Sequence, residues 1–128
     1  MPLEIKIGKR FGFLTPSTVA VRLSGSLDTA TAPELEKQLA PVYAGKAKDL
    51  VFDLGDLHFI SSAGLRVFGA ARKVFSGRGG QVSFVNLQAQ VRRVFEIIEA
   101  LPGIGIFRDD AEMDRYLASQ TGQYGPEQ

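Results

Sequence analysis

Asp53-Leu-Gly-Asp-Leu-His-Phe-Ile-Ser-Ser-Ala-Gly-Leu65 is the stretch on which the reading of this chain turns. Preceded by Leu50-Val-Phe, it begins as a short apolar run, the pattern of a central strand, and passes through a short loop into a helix. The first turn of that helix holds Ser61, Ser62, Ala63 and Gly64. The leading N–H groups of a helix lack internal partners and the macrodipole puts partial positive charge there, so such an end suits an anion, a phosphate on a local hydroxyl included. Serine is also a preferred N-cap, and either Ser61 or Ser62 could serve simply as one. Two adjacent serines leave one beyond that need, because only one can be the cap.

At about 100° per residue, Gly64, Val67, Phe68, Ala71, Val74 and Phe75 fall within one arc and should face the core. Leu65, Gly69 and Arg72 fall on the neighbouring flank, which makes Leu65 a candidate exposed apolar anchor beside the serines. Gly79-Gly80 should close this helix near residue 77.

Working outward, Leu3, Ile5 and Ile7 alternate with polar or small residues, as do Val19, Val21 and Leu23, predicting two strands that pair as a hairpin. Thr31-Ala-Pro-Glu34 reads as a capping box, with Pro33 in the first turn, and Pro41 should end or kink the helix that follows. Residues 81–85 predict a strand, 89–100 a helix, 104–107 a short strand, and Asp109-Asp110 the start of a last helix. Strands alternating with helices predict an α/β fold, a mixed sheet covered by α-helices. One domain is expected over residues 3–118, with a polar, Gly/Pro-containing flexible tail at 119–128.

The composition sets outer bounds. A chain of 128 residues and 13.9 kDa is one domain's worth of protein. Folding should reduce its surface from roughly 20,000 Å² to roughly 6,700 Å², enough burial for a core without disulfides or metal. With no cysteine and one histidine, His58, neither thiolate chemistry nor a Cys- or His-rich metal site is available. Met1-Pro-Leu-Glu-Ile-Lys-Ile carries charges inside its apolar stretch, unlike a signal peptide, and no apolar run is long enough to span a membrane, so a cytoplasmic location is expected. The net charge of +1 conceals an uneven distribution. Residues 57–95 carry six bases (Arg66, Arg72, Lys73, Arg78, Arg92, Arg93) and no acid, while residues 96–128 carry two bases and seven acids.

The order of elements, Ser26-Leu27-Asp28 leading into Thr31-Ala-Pro-Glu-Leu35, and Phe59-Ile-Ser-Ser-Ala-Gly-Leu65 together resemble the STAS domain, a family that includes the bacterial anti-sigma factor antagonists. The likeness runs over nearly the whole chain. It implies a non-enzymatic binding module that sequesters an anti-sigma factor, itself a serine kinase of the GHKL type, and so frees a sigma factor. The kinase would phosphorylate a serine at this helix start and break the complex, and a phosphatase would reset it. The family's usual motif is Asp-Ser-Ser/Thr-Gly; here Ser61 stands at the aspartate, Ser62 follows, and Ala63 precedes the glycine. Ala63 cannot accept a phosphoryl group, so Ser62 is the implied acceptor with Ser61 behind it. The implied partner surface is Asp28, Ser61, Ser62, Ala63, Gly64, Leu65 and Arg72. No cofactor or metal is implied. STAS domains also serve as non-switching regulatory or scaffold subunits of transport or sensory complexes, and Ala63 keeps that alternative open.

Other chemistries fit less well. A serine hydrolase would have to use His58, three residues before Ser61, with Asp28, Asp53 or Asp56 as the acid, and no Gly-x-Ser-x-Gly elbow is present. Gly77-Arg-Gly-Gly80 follows a helix and precedes a strand, the reverse of a phosphate loop. The six bases scatter over two helices and a turn instead of clustering, so no nucleic-acid partner is expected.

Overall fold

The computed structural model of the chain describes residues 2–8, 17–98 and 105–107. Its elements are β1 (Leu3–Gly8), β2 (Thr18–Leu27), α1 (Ala32–Ala44), β3 (Asp49–Ile60), α2 (Ser62–Gly77), β4 (Val82–Val85), α3 (Ala89–Ile98) and β5 (Gly105–Phe107). The sheet runs β1-β2-β3-β4-β5, with β1 antiparallel to β2 and every later pair parallel. The expected hairpin and the mixed α/β sheet are both present. The expected helix from Asp109, the tail at 119–128 and residues 99–100 of the expected third helix lie outside the described residues.

The middle of the sheet is buried on both faces, which is why β3 begins as an unbroken apolar run. Leu50, Phe52 and Leu54 join Val21, Leu23, Val82 and Phe84 in the core cluster together with side chains of all three helices. Phe52 lies 4.7 Å from Phe68 of α2 and 5.4 Å from Phe84 of β4, while Phe95 of α3 stands edge-on to Phe84 at 5.2 Å. This aromatic stack fixes α2 and α3 on one side of the sheet. On the other face Asp53 is buried with every acceptor used. Its Oδ2 takes Nε (3.2 Å) and Nη2 (3.0 Å) of Arg22, and its Oδ1 takes the Gly55 N–H (3.0 Å) and Asn86 Nδ2 (3.3 Å).

Three local expectations are corrected. The Thr31–Glu34 capping box does not form, because Thr31 already has helical backbone angles (φ −98°, ψ −17°) and its hydroxyl is engaged elsewhere. Thr31 Oγ1 accepts the Asp28 N–H at 2.9 Å and lies 2.9 Å from the Ser26 carbonyl oxygen, to which it donates. Asp28 does the capping instead, its Oδ1 accepting the N–H groups of Ala30 and Thr31, each at 3.0 Å. Secondly, Pro41 does not end α1, which runs through it to Ala44. Pro41 and Lys37, whose carbonyl loses its helical partner, lie on the exposed side, open to solvent. Thirdly, β3 does not stop at Leu54; it continues through the expected loop to Ile60.

That continuation is irregular in a defined way. Arg22 pairs with Asp53 but Ser24 with Asp56, and Gly25 pairs with Leu57 but Ser26 with Phe59. Each shift places one extra residue in β3, a β-bulge that reverses which face the following side chains occupy. Leu54, Leu57 and Ile60 therefore all reach the core at spacings of three, while His58 and Phe59 both face outward.

The end of α2 follows expectation. Gly79 takes a left-handed conformation (φ +80°) and the Gly80 N–H returns to the Phe75 carbonyl at 2.8 Å. Gly80 also passes so close to the Lys48 carbonyl that a Cβ would overlap it. Arg78 donates to the carbonyls of Tyr43 (2.6 Å) and Ala47 (2.7 Å) and lies 4.7 Å over the Phe75 ring. One of the six mid-chain bases thus satisfies orphan carbonyls around the end of α1.

Candidate functional site

The C-terminal ends of β2 and β3 lie side by side, with Leu27 paired to Ile60. One hydrogen bond joins the turns that leave them: the Ser61 N–H donates to the Leu27 carbonyl at 2.9 Å. The Asp28 turn and the start of α2, distant in sequence, are thereby made neighbours.

Ser61 is the N-cap. Its backbone is extended (φ −105°, ψ 175°) and its Oγ accepts the Gly64 N–H at a long 3.5 Å. Ser62 is the first helical residue and is exposed. It heads the solvent-facing stripe of α2, continued by Arg66, Ala70 and Lys73, all exposed. The first turn carries no acidic residue. An exposed hydroxyl at the positive end of a 16-residue helix, with an arginine four residues on, is well placed to carry a negative group.

Gly64 is buried because α2 meets the sheet there. A Cβ would come within 2.6 Å of Leu27 Cγ and 3.0 Å of Ile60 Cγ1. Leu65, expected as an exposed anchor, is only 5% exposed and belongs to the core cluster. Besides facing the sheet, α2 is flanked by α1 (Tyr43 with Phe75) and by α3 (Phe95 with Phe68), so its buried arc is wider than one core stripe. Ala63 is half-buried against the same core. Arg72 is half-buried and about 15 Å along the helix axis from Ser62, so it is not gathered with the serines.

Asp28 is partly exposed, and its carboxyl is held below the ordinary aspartate range, chiefly by the backbone N–H of Thr31 and further by the Thr31 hydroxyl and the Ala30 N–H. Its charge stands beside the Ser61 cap and serves first to hold its own turn.

Reasoning from sequence missed Phe59. It is 51% exposed and, with Ile7 at 40%, one of two exposed large apolar side chains among the described residues. The available signal was the spacing of Leu54, Leu57 and Ile60, too long for regular alternation and therefore a sign of bulges. The hydrolase constellation is not assembled. Among the described residues the His58 imidazole has no hydrogen bond to a serine or a carboxylate, Asp53 is occupied by Arg22, Gly55 and Asn86, and no group of three or more His, Asp or Glu could hold a metal. No described helix is long and apolar enough to cross a membrane.

The STAS domain family model matches residues 14–113, which include the bulged end of β3, both serines and all of α2. The chain belongs to the STAS domain family. Among its relatives, a Bordetella bronchiseptica protein named as an anti-sigma factor antagonist, BtrV, is 40% identical over 75 residues, 59% of this chain and 65% of that protein. The match thus spans slightly less than two thirds of that relative's length. The anti-sigma-B factor antagonist of Bacillus subtilis is 33% identical over 79 residues, 62% of this chain and 72% of the relative. An anti-sigma factor antagonist structure from Mycobacterium paratuberculosis superposes with a TM-score of 0.75 at 22% identity, covering 92% of this chain and 93% of that one, a likeness of fold. In this STAS domain Ser61-Ser62-Ala63-Gly64 sits where the Asp28 turn, β3 and α2 meet.

Proposed function

We propose that this STAS domain is an anti-sigma factor antagonist of the cytoplasm. It binds an anti-sigma factor that is also an ATP-dependent serine kinase, frees the sigma factor held by that protein, and is switched off by phosphorylation. The observation that carries this reading is Ser62: an exposed hydroxyl at the first position of α2, in a first turn without acid, beside the Asp28 turn. The named relatives support it.

The physics of the switch is local. A phosphoryl group adds about −1.5 to −2 charges at the point of contact. In the free domain it is stabilised by the helix end. Against a partner it would have to be desolvated or matched by a new cation, and without one the complex is lost. Ser62 is favoured over Ser61 because the Ser61 hydroxyl is turned inward as the helix cap. Ala63 has no hydroxyl, and Gly64 and Leu65 are buried, so the contact surface narrows to Asp28, Ser61, Ser62 and the exposed residues around them. A phosphatase completes the cycle.

The test is phosphosite mapping after incubation with the co-purified anti-sigma kinase and ATP. Label is expected on Ser62 and should vanish in Ser62→Ala, which still binds. Stable binding of a form carrying phosphoserine at 62 would instead mark a non-switching scaffold subunit.

A further inference from the structure

We propose that β1 is the seam of a homodimer: two copies of this chain join through the free edges of their first strands, antiparallel and centred on Ile5, into one continuous sheet. The seam is separate from the Ser62 helix end, which follows β3 in the middle of the sheet.

β1 ends the strand order, so among the described residues it has a strand on one side only. The hydrogen bonds of β2 fix which of its backbone groups are left on the other side. The N–H and C=O of one strand residue point the same way, and successive residues alternate sides. The Ser26 N–H donates to the Pro2 carbonyl at 3.3 Å, so the even-numbered residues of β1 bond inward. The far side of β2 agrees. There the Asp49 N–H donates to the Ser17 carbonyl at 3.2 Å, which turns the odd-numbered residues of β2 toward β3 and leaves Arg22 and Ser24 to bond Lys6 and Glu4. The N–H and C=O groups of Leu3, Ile5 and Ile7 therefore face outward, a template for another strand.

The side chains of this edge complement their own reversed order. Leu3-Glu4-Ile5-Lys6-Ile7 reads apolar, acid, apolar, base, apolar, so a two-fold axis at Ile5 sets apolar on apolar and acid on base. Ile5 meets Ile5, and Leu3 meets Ile7, as hydrogen-bonded pairs that exchange about six N–H···O=C bonds. Glu4 then meets Lys6 of the second copy as a non-hydrogen-bonded pair, the kind whose side chains stand closest. In one chain Lys6 Nζ lies 3.9 Å from Glu4 Oε2, both largely exposed, and Lys6 stands opposite Arg22, whose guanidinium is committed to Asp53. The dimer sets the four charges at corners of alternating sign, which is what favours a second copy over an unrelated strand. On the other face Ile7, 40% exposed in the single chain, comes to lie beside Leu3 of the second copy. Leu3 and Ile5 already line a groove with Glu34, Lys37 and Gln38 of α1, so the added isoleucine extends its apolar wall.

Sedimentation equilibrium of the full chain from about 1 μM to about 1 mM measures the association. Wild type is expected to show a monomer–dimer equilibrium within that range. Lys6→Glu and Glu4→Lys each set like charges opposite one another twice, and each should weaken the dimer about 10-fold or more. The double variant Glu4→Lys with Lys6→Glu restores the match with signs reversed and should dimerise as wild type does. An equimolar mixture of the two single variants sets acid on base across one seam and should also regain the dimer. Both side chains are exposed, so every variant should keep the wild-type circular dichroism. A wild type that stays monomeric up to about 1 mM overturns the proposal and leaves the edge to a strand of another protein. A dimer that both single variants leave intact overturns it as well, since its contact then lies elsewhere.

Discussion

Replacing Ser62 with aspartate should make the domain more stable while making it a worse binder. Ser62 is the first residue of α2, its first turn has no acid, and Arg66 stands exposed four residues on, in no ion pair with a described residue. A carboxylate there gains about 0.3–1 kcal/mol from the helix end. An Asp–Arg pair at i, i+4 adds about 0.2–0.5 kcal/mol. The sum, about 0.5–1.5 kcal/mol, corresponds to a melting temperature raised by about 2–5 °C for a domain of this size. Thermal unfolding at low ionic strength measures it. In about 1 M salt, where the screening length falls to about 3 Å, most of the gain should disappear. The Arg66→Gln background should lose the smaller, pairwise share. A melting temperature that falls, or a rise that survives high salt, would refute the electrostatic account of this helix end.

Other consequences concern the frame that holds the site. Gly64→Ala brings a Cβ to 2.6 Å from the fully buried Leu27 side chain; it should cost about 1–2 kcal/mol net of the helix propensity gained, seen as a lower denaturation midpoint. Asp53→Ala removes the partner of Arg22 and leaves the Gly55 N–H and Asn86 amide unpaired, an expected loss of about 2–4 kcal/mol by urea unfolding. Because the Asp28 pKa is lowered on folding, its contribution is fully present above the ordinary carboxylate pKa of about 3.9 and is lost as pH falls through the lower folded value. The melting temperatures of wild type and Asp28→Ala should therefore differ at pH 6 and converge as the pH drops below about 4. A difference that stays constant across that range would contradict the Asp28 turn geometry.

Much of this architecture could be read directly from residue patterns. Alternation in Leu3-Glu-Ile-Lys-Ile7 and Val19-Ala-Val-Arg-Leu23 predicted the hairpin, and the apolar run at Leu50 predicted a central strand. A serine cap at 61 or 62 and Gly79-Gly80 as stop were likewise legible, since capping chemistry is local, and the structure makes Ser61 the cap. What could not be read depended on neighbours. Asp28 displaced Thr31 as the cap because Ser26 competes for the Thr31 hydroxyl. Leu65 is buried because helices flank α2 on both sides in addition to the sheet, which a single-helix projection cannot include. Phe59 was hidden by two bulges, and a bulge is a property of strand pairing: its trace in one strand, apolar residues three apart, is also the trace of a helix. Residue patterns pointed to the junction of strand and helix, where the structure buries Leu65 and exposes Phe59.

The central claim is that the start of α2 is a phosphate-operated contact surface. Its most direct test is the affinity for the anti-sigma kinase of two forms of this chain, one unmodified and one carrying phosphoserine installed at position 62 during synthesis. The account predicts a stable complex with the first and, with the second, affinity reduced at least a hundredfold, or about 2.7 kcal/mol. Equal affinity for the two forms would contradict it.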